Sequence, residues 1–277
     1  MRAQGWRKIA GGLWGWPSDP QVYGRLEVDA SPILRSVATL RERTGQHVTP
    51  TTVVVRAVAA ALRENPDLNT KLVHGHFVPR RAVEVFVITS TGAGRDLSGV
   101  KVRDADRRDV GEVAAEVAHG AAEARAGDSQ LERAKRLLEV LPPSILRLAL
   151  RAAAFATTDL GLDLSAMGMP REAFGGAMVS SVGMFGISEG WAPLSMMYRV
   201  PLLILVGEVE ERPWAVDGRV EVRPAMTLTA SIDHRWVDGH GIAGFARSFR
   251  SHLAEPLQAE VAGPLPTHDP RPEMRHA

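Results

Sequence analysis

Ser231-Ile232-Asp233-His234-Arg235-Trp236-Val237-Asp238-Gly239 sets a histidine and an aspartate four positions apart and closes them with glycine. The run before it, Met226-Thr227-Leu228-Thr229-Ala230-Ser231-Ile232, alternates apolar and polar residues as a half-buried strand does. After it, Ile242, Phe245, Phe249 and Leu253 fall at helical spacing across residues 240–253. The stretch predicts a strand that ends at a histidine just before a helix begins, where a rigid scaffold presents a side chain to a cleft. Imidazole titrates closest to neutral pH, so His234 is a candidate general base. Two other readings of the same residues stand beside it. Asp238 is a ready N-cap for the helix, with Gly239 serving the turn. His234, Asp238 and His240 are potential metal ligands, but no further histidine or carboxylate falls at a recognisable ligand spacing, and no metal is expected.

The 277 residues, 45% of them hydrophobic, suffice for one large or two small domains with a full core. A net charge of +1 gives no global electrostatic case for nucleic acid or an anionic membrane. The absence of cysteine excludes disulfides, thiolate metal sites and a cysteine nucleophile. At the N-terminus Arg2, Arg7 and Lys8 flank a short apolar run at residues 9–16 that glycines interrupt, which does not read as a signal peptide. No stretch approaches the ~18 apolar residues of a spanning helix. A cytoplasmic protein is expected.

A strand is predicted at residues 24–28, a helix at 31–43, and a second helix opened by Thr49-Pro50 and running to about residue 64. Residues 81–89 read as a buried strand, and Asp109 with Glu112 as a capping box before a helix to about residue 125. Residues 202–209 form an apolar run, and residues 214–222 a hairpin with Asp217-Gly218 at its turn. Helices and strands of both kinds argue for an α/β fold with a mixed sheet covered by helices.

Taken together, these pieces resemble the catalytic domain of the dihydrolipoamide acyltransferases of 2-oxoacid dehydrogenase complexes, a fold shared with chloramphenicol acetyltransferase. The family hallmark Asp-His-Arg-x-x-Asp-Gly is matched in full by residues 233–239, and Ser180-Ser181-Val182-Gly183-Met184-Phe185-Gly186 is close to its Ser-Asn-Leu-Gly-Met-Phe-Gly. Arg7-Lys8-Ile9-Ala10, Asn65-Pro66-Asp67-Leu68-Asn69, Val102-Arg103-Asp104-Ala105-Asp106 and the stretch from Val216-Asp217-Gly218 to Arg223-Pro224 match further family segments in order. The similarity spans residues 6–127 and 174–256. It implies a two-layer sandwich like chloramphenicol acetyltransferase, occupying residues 1–256.

The resemblance implies direct acyl transfer between a thioester and an acceptor, with no covalent enzyme intermediate. His234 is then the general base, Ser180 the hydroxyl donor to the tetrahedral oxyanion, and Asp238 the aspartate that organises the site around the histidine. Ser181 is the donor if the alignment slips by one. Arg235 is either a structural ion-pair partner or a substrate contact; Trp236 and Trp191 either line a substrate channel or belong to the core. The family builds its sites between subunits of a trimer, so His234 of one chain would face Ser180 of the next. Coenzyme A would enter one end of the channel and the acceptor the other.

The chain departs from the family in three places. Neither a lipoyl domain nor a peripheral-subunit-binding domain is recognised, so either a lipoyl group would come from a separate protein or the acyl acceptor is a different one. Residues 128–173 form an insertion read as two helices, at 131–141 and 144–155, parted by Pro142-Pro143. Arg147 and Arg151 lie on one stripe of its otherwise apolar second helix. An extra helical hairpin is the plain reading; a lid over the acceptor channel or a surface touching a membrane are the sharper ones. Residues 257–277 read as a proline-rich flexible tail in place of the hydrophobic knob of cage-forming relatives, which favours an isolated homotrimer. The favoured function is a stand-alone coenzyme A-dependent acyltransferase acting on a thiol, hydroxyl or amine. A dihydrolipoamide acyltransferase core using a lipoyl protein in trans is the alternative, and a non-catalytic scaffold the third reading.

Overall fold

The computed structural model describes residues 20–91, 96–139 and 142–262. Strand β1 (Gln21–Asp29) leads into helices α1 (Ser31–Thr44) and α2 (Pro50–Glu64). A short hairpin of β2 (Thr70–Val73) and β3 (His76–Pro79) precedes β4 (Val85–Thr91), β5 (Asp96–Val102) and α3 (Val110–Ala126). Helices α4 (Gln130–Glu139) and α5 (Pro143–Ala154) follow, with a π-helical turn at Phe155–Asp159. Strand β6 (Ala177–Ser181), the long pair β7 (Leu202–Val216) and β8 (Arg219–Asp233), and α6 (Gly239–Ala262) follow to the end of the described residues.

Six strands form one mixed sheet in the order β1-β8-β7-β6-β4-β5. The inner strands β4, β6 and β7 run parallel, and the outer pairings are antiparallel. Because side chains alternate across a strand, the sheet has two unlike faces. Val85, Val87, Ala177, Val179, Ile204, Val206, Leu228 and Ile232 point to the face covered by α1, α2, α3 and α6. Helix α2 is the centre of that layer: Val53, Val54, Val55, Val58 and Leu62 are at most 1% exposed, each side chain contributing about 1.5–3 kcal/mol. The other face carries Phe86, Met178, Leu203 and Leu205, covered by Leu194, Val200, Phe174 and Tyr198 from irregular segments. This is the two-layer α/β sandwich with a mixed sheet that the sequence predicts.

Both predicted helix starts are built as expected. Thr49 accepts from Thr52 N and Asp109 from Glu112 N, each with the reciprocal side-chain bond of a capping box. Three expectations need correction. Strand β4 begins at Val85, after the Val83 and Glu84 carbonyls have bonded to Ala105 N and Gly176 N. The hairpin at 214–222 is the tip of two fifteen-residue strands. Helix α6 continues through Pro256 to Ala262, so residues 257–262 are helical. The rest of the expected tail, residues 263–277, and the Arg7-Lys8-Ile9-Ala10 match lie outside the described residues.

Candidate active site

Strand β8 ends at Asp233, which is 1% exposed and whose N–H donates to Pro201 O. Its carboxylate accepts from the Arg235 backbone N–H (3.0 Å) and from the Arg235 guanidinium at Nε (2.9 Å) and Nη2 (2.5 Å). Trp236 N–H donates to Asp233 O (3.0 Å), closing the turn. A carboxylate held by two kinds of donor inside two residues makes the turn rigid. His234, between them, is exposed, while its N–H is bonded to Pro20 O (2.9 Å).

The His234 ring is oriented by Nδ1, which lies 2.5 Å from Val237 O. A carbonyl can only accept, so Nδ1 carries a proton, and in the neutral ring Nε2 is the nitrogen with the lone pair. That is the tautomer a general base needs.

Asp238 serves as the N-cap of α6: its Oδ1 accepts from Gly241 N (3.0 Å) and its carbonyl from Ile242 N (3.0 Å). The Gly241 N–H, with His240 close by, holds this exposed carboxyl below its ordinary range. The plainer reading of Asp238 is thus realised in the single chain, where it organises the start of the helix after His234. Arg235 takes the ion-pair role, with its guanidinium also 5.6 Å from the Trp236 ring. Trp236 is 8% exposed and its indole N–H donates to Thr70 O (3.2 Å), so it belongs to the core. Trp191 is 44% exposed and meets Tyr23 edge to face. Among the described residues no cluster of three or more histidine and carboxylate side chains could hold a metal.

Ser180 and Ser181 close β6 and point to opposite faces. Ser181 follows Ala177 and Val179 toward the layer of α1, α2, α3 and α6, and Ser180 follows Met178 toward the opposite face. Beyond them the chain must pass close under β7. A Cβ on Gly183 would lie 2.6 Å from Glu208 N and Gly207 O, so this position admits no side chain without movement.

Within one chain His234 and Ser180 are far apart. Ser180 pairs with Leu205 and Leu205 with Thr229, so the two sites differ by two strand spacings and five residues along β8. At about 4.8 Å per strand and 3.4 Å per residue, that is roughly 20 Å, beyond the combined reach of a serine and a histidine.

Several residues of the turn carried no signal in the sequence. Val237 and Thr70 act through backbone carbonyls. The exposed apolar group Met184 (62%), Phe185 (51%), Ile187 (43%), Trp191 (44%) and Tyr23 (57%) draws on separate strands and loops.

The family model for the 2-oxoacid dehydrogenases acyltransferase (catalytic domain) matches residues 15–135 and 169–261, leaving 136–168 unmatched. The lipoamide acyltransferase component of the branched-chain alpha-keto acid dehydrogenase complex of Pseudomonas aeruginosa is 27% identical over 233 residues, covering 83% of this chain and 45% of that protein. The dihydrolipoyllysine-residue acetyltransferase component of the pyruvate dehydrogenase complex of Zymomonas mobilis is 34% identical over 89 residues, 32% of this chain and 20% of that one. The chain spans less than half the length of these curated relatives. Among solved structures, a probable dihydrolipoamide acetyltransferase from Listeria monocytogenes has the same fold, with a TM-score of 0.64 at 20% identity over 91% of this chain and 93% of that one. Since the matched segments take in both the His234 turn and Ser180, the chain belongs to the 2-oxoacid dehydrogenases acyltransferase (catalytic domain) family.

Proposed function

We propose that this chain is the catalytic core of a dihydrolipoamide acyltransferase, passing an acyl group between a lipoyl thiol on a carrier protein and coenzyme A. The observation that carries the reading is the His234 turn. The family match runs unbroken through it, and the ring is exposed with Nδ1 bonded to Val237 O, leaving Nε2 as the proton acceptor.

Nε2 takes the proton of the attacking thiol as its sulfur bonds to the thioester carbonyl carbon. A positioned base of this kind contributes about 10²–10⁴-fold. The carbonyl electrons move to oxygen, and the Ser180 hydroxyl donates to the oxyanion. Collapse re-forms the carbonyl, breaks the original carbon–sulfur bond, and returns the proton from the imidazolium to the departing thiolate. Val237 O stabilises the imidazolium while it exists, and Asp238 contributes by holding the helix start.

The separation of about 20 Å between Ser180 and His234 in one chain supports a site shared by two chains. The exposed apolar residues at 184–191 and Tyr23 lie outside the core, and an apolar surface of this kind fits a second copy of the chain. We take the assembly to be a homotrimer, closed head to tail. The stand-alone coenzyme A-dependent enzyme differs from this reading in its acceptor. The lipoyl acceptor is preferred because the relatives named above are dehydrogenase-complex components, and the stand-alone reading gives way to it.

Thiol release from acyl-coenzyme A donors tests the proposal, with dihydrolipoamide, alcohols and amines as acceptors and with wild type beside His234→Ala. Dihydrolipoamide-dependent turnover that the variant loses supports it. Turnover that survives in His234→Ala, or a preference for alcohols or amines, sinks it.

A further inference from the structure

We infer that the segment the family model leaves unmatched, residues 136–168, positions His234, acting through the β2–β3 hairpin, and that Lys71 and Trp236 are the positioning residues. Hairpin β2–β3 forms its own two-stranded sheet apart from the main one. On one side it holds the His234 turn: Thr70 O accepts from the Trp236 indole (3.2 Å), and Phe77 meets the Trp236 ring edge to face at 6.0 Å. Trp236 directly precedes Val237, whose carbonyl orients the imidazole.

On the other side the hairpin holds the end of the unmatched segment. Lys71, the next residue after Thr70, is 6% exposed, and its ammonium donates to Thr158 O (2.6 Å) and Glu172 Oε1 (2.9 Å). Thr158 lies in the π-helical turn after α5, and Phe155 of the same turn packs edge to face on His74 at the hairpin tip. Arg80, just past β3, donates to Glu172 Oε2 (2.9 Å) and to Arg199 O (2.6 Å), and the Arg199 guanidinium pairs with Asp159. One residue of β2 thus touches the histidine turn while its neighbour touches the unmatched segment.

The chemistry of this cluster fits registry better than stability. It buries two cations against one carboxylate, and among the described residues Arg80 Nε has no hydrogen-bond partner. Buried ion groups repay their desolvation poorly and are best attested as devices that fix one arrangement of elements against another. Lys71→Met should therefore fold, because Glu172 keeps Arg80 and the buried charge becomes balanced.

The test is amide hydrogen exchange over residues 233–241, with thermal unfolding, in wild type, Lys71→Met and Trp236→Phe. The expected result is exchange at 233–241 about five- to tenfold faster in both variants, as loss of one hydrogen bond gives. The rest of β8 and α2 should keep their protection. Unchanged exchange at 233–241 in folded Lys71→Met and Trp236→Phe overturns the inference. So does a uniform rise across the chain, which marks a purely structural role. The catalytic consequence rests on the base role proposed for His234: kcat falls on the order of tenfold, with KM for the acyl donor little changed. Exchange reads the coupling even if no acyl transfer is found, so the two failures are distinguishable.

Discussion

Replacing Gly183 by alanine adds one methyl group three residues after Ser180, where the chain leaves β6 beneath the irregularity in β7. The new Cβ would stand 2.6 Å from both Glu208 N and Gly207 O, about 0.8 Å inside the 3.4 Å at which ordinary contact begins. Both neighbours are backbone, so the relief must come from moving β6 or β7. Overpacking of this kind costs about 1–3 kcal/mol, and about 2–4 °C of Tm per kcal/mol for a chain of this size. The movement falls beside the proposed oxyanion donor, so kcat should drop by on the order of 10²-fold. Gly45→Ala is the control: its φ of +67° carries strain but nothing lies within 4 Å of its Cβ. It should cost about 1–2 kcal/mol and leave turnover intact. Thermal unfolding and steady-state acyl transfer read both variants. If Gly183→Ala is as stable and as active as wild type, the close approach under β7 is not what glycine is there for.

Ser180→Ala should lower turnover by about 10²–10³-fold, while Ser181→Ala, which points to the helix-covered face, should change it little; equal losses would contradict the assignment of faces. Asp238→Asn should unfold within about 1 kcal/mol of wild type, because asparagine caps as well as aspartate and only the charge at the helix start is lost. Asp238→Ala should unfold lower, and equal midpoints for the two would remove the cap from the account. Burial works to raise the Glu172 carboxyl, but the charges of Arg80 and Lys71 outweigh it and hold it below the ordinary range. Its folded value is depressed, so its stabilisation is full above the ordinary carboxylate range and is lost as pH falls through the lower folded value. Urea midpoints between pH 6 and pH 3 should fall more steeply for wild type than for Glu172→Gln, and parallel curves would contradict this.

What the sequence made legible was local chemistry with a fixed spacing. Thr49 before Pro50, Asp109 before Glu112 and the Asp217-Gly218 turn each satisfy backbone groups within a few residues, so their structures follow from the letters. The strand–histidine–helix order at 226–253 was readable for the same reason. Long-range partners were not. Nothing near Lys71 announces a carboxylate one hundred and one positions away, or a carbonyl at Thr158. Trp236 admits a channel reading beside the commoner core one, and the bond from its indole to Thr70 O, which decides for the core, spans 166 positions. The residues after Pro256 read as a tail, since an interior proline loses one hydrogen bond and crowds the carbonyl four residues back at a cost of about 3 kcal/mol, yet α6 continues past it. The distance between Ser180 and His234 also needed strand order and register, which no single strand pattern contains.

Subunit mixing shows whether one chain's His234 works with another chain's Ser180. His234→Ala and Ser180→Ala are each purified, then unfolded and refolded together in equal amounts. In a closed ring with one site per interface, a site is intact when its histidine-bearing chain is the Ser180→Ala variant and its serine-bearing chain the His234→Ala variant. Random mixing makes that about one site in four in a head-to-tail ring. The account predicts about a quarter of wild-type activity from two nearly inactive parents. Activity no greater than the parents' average, from a mixture shown to contain mixed assemblies, would contradict it.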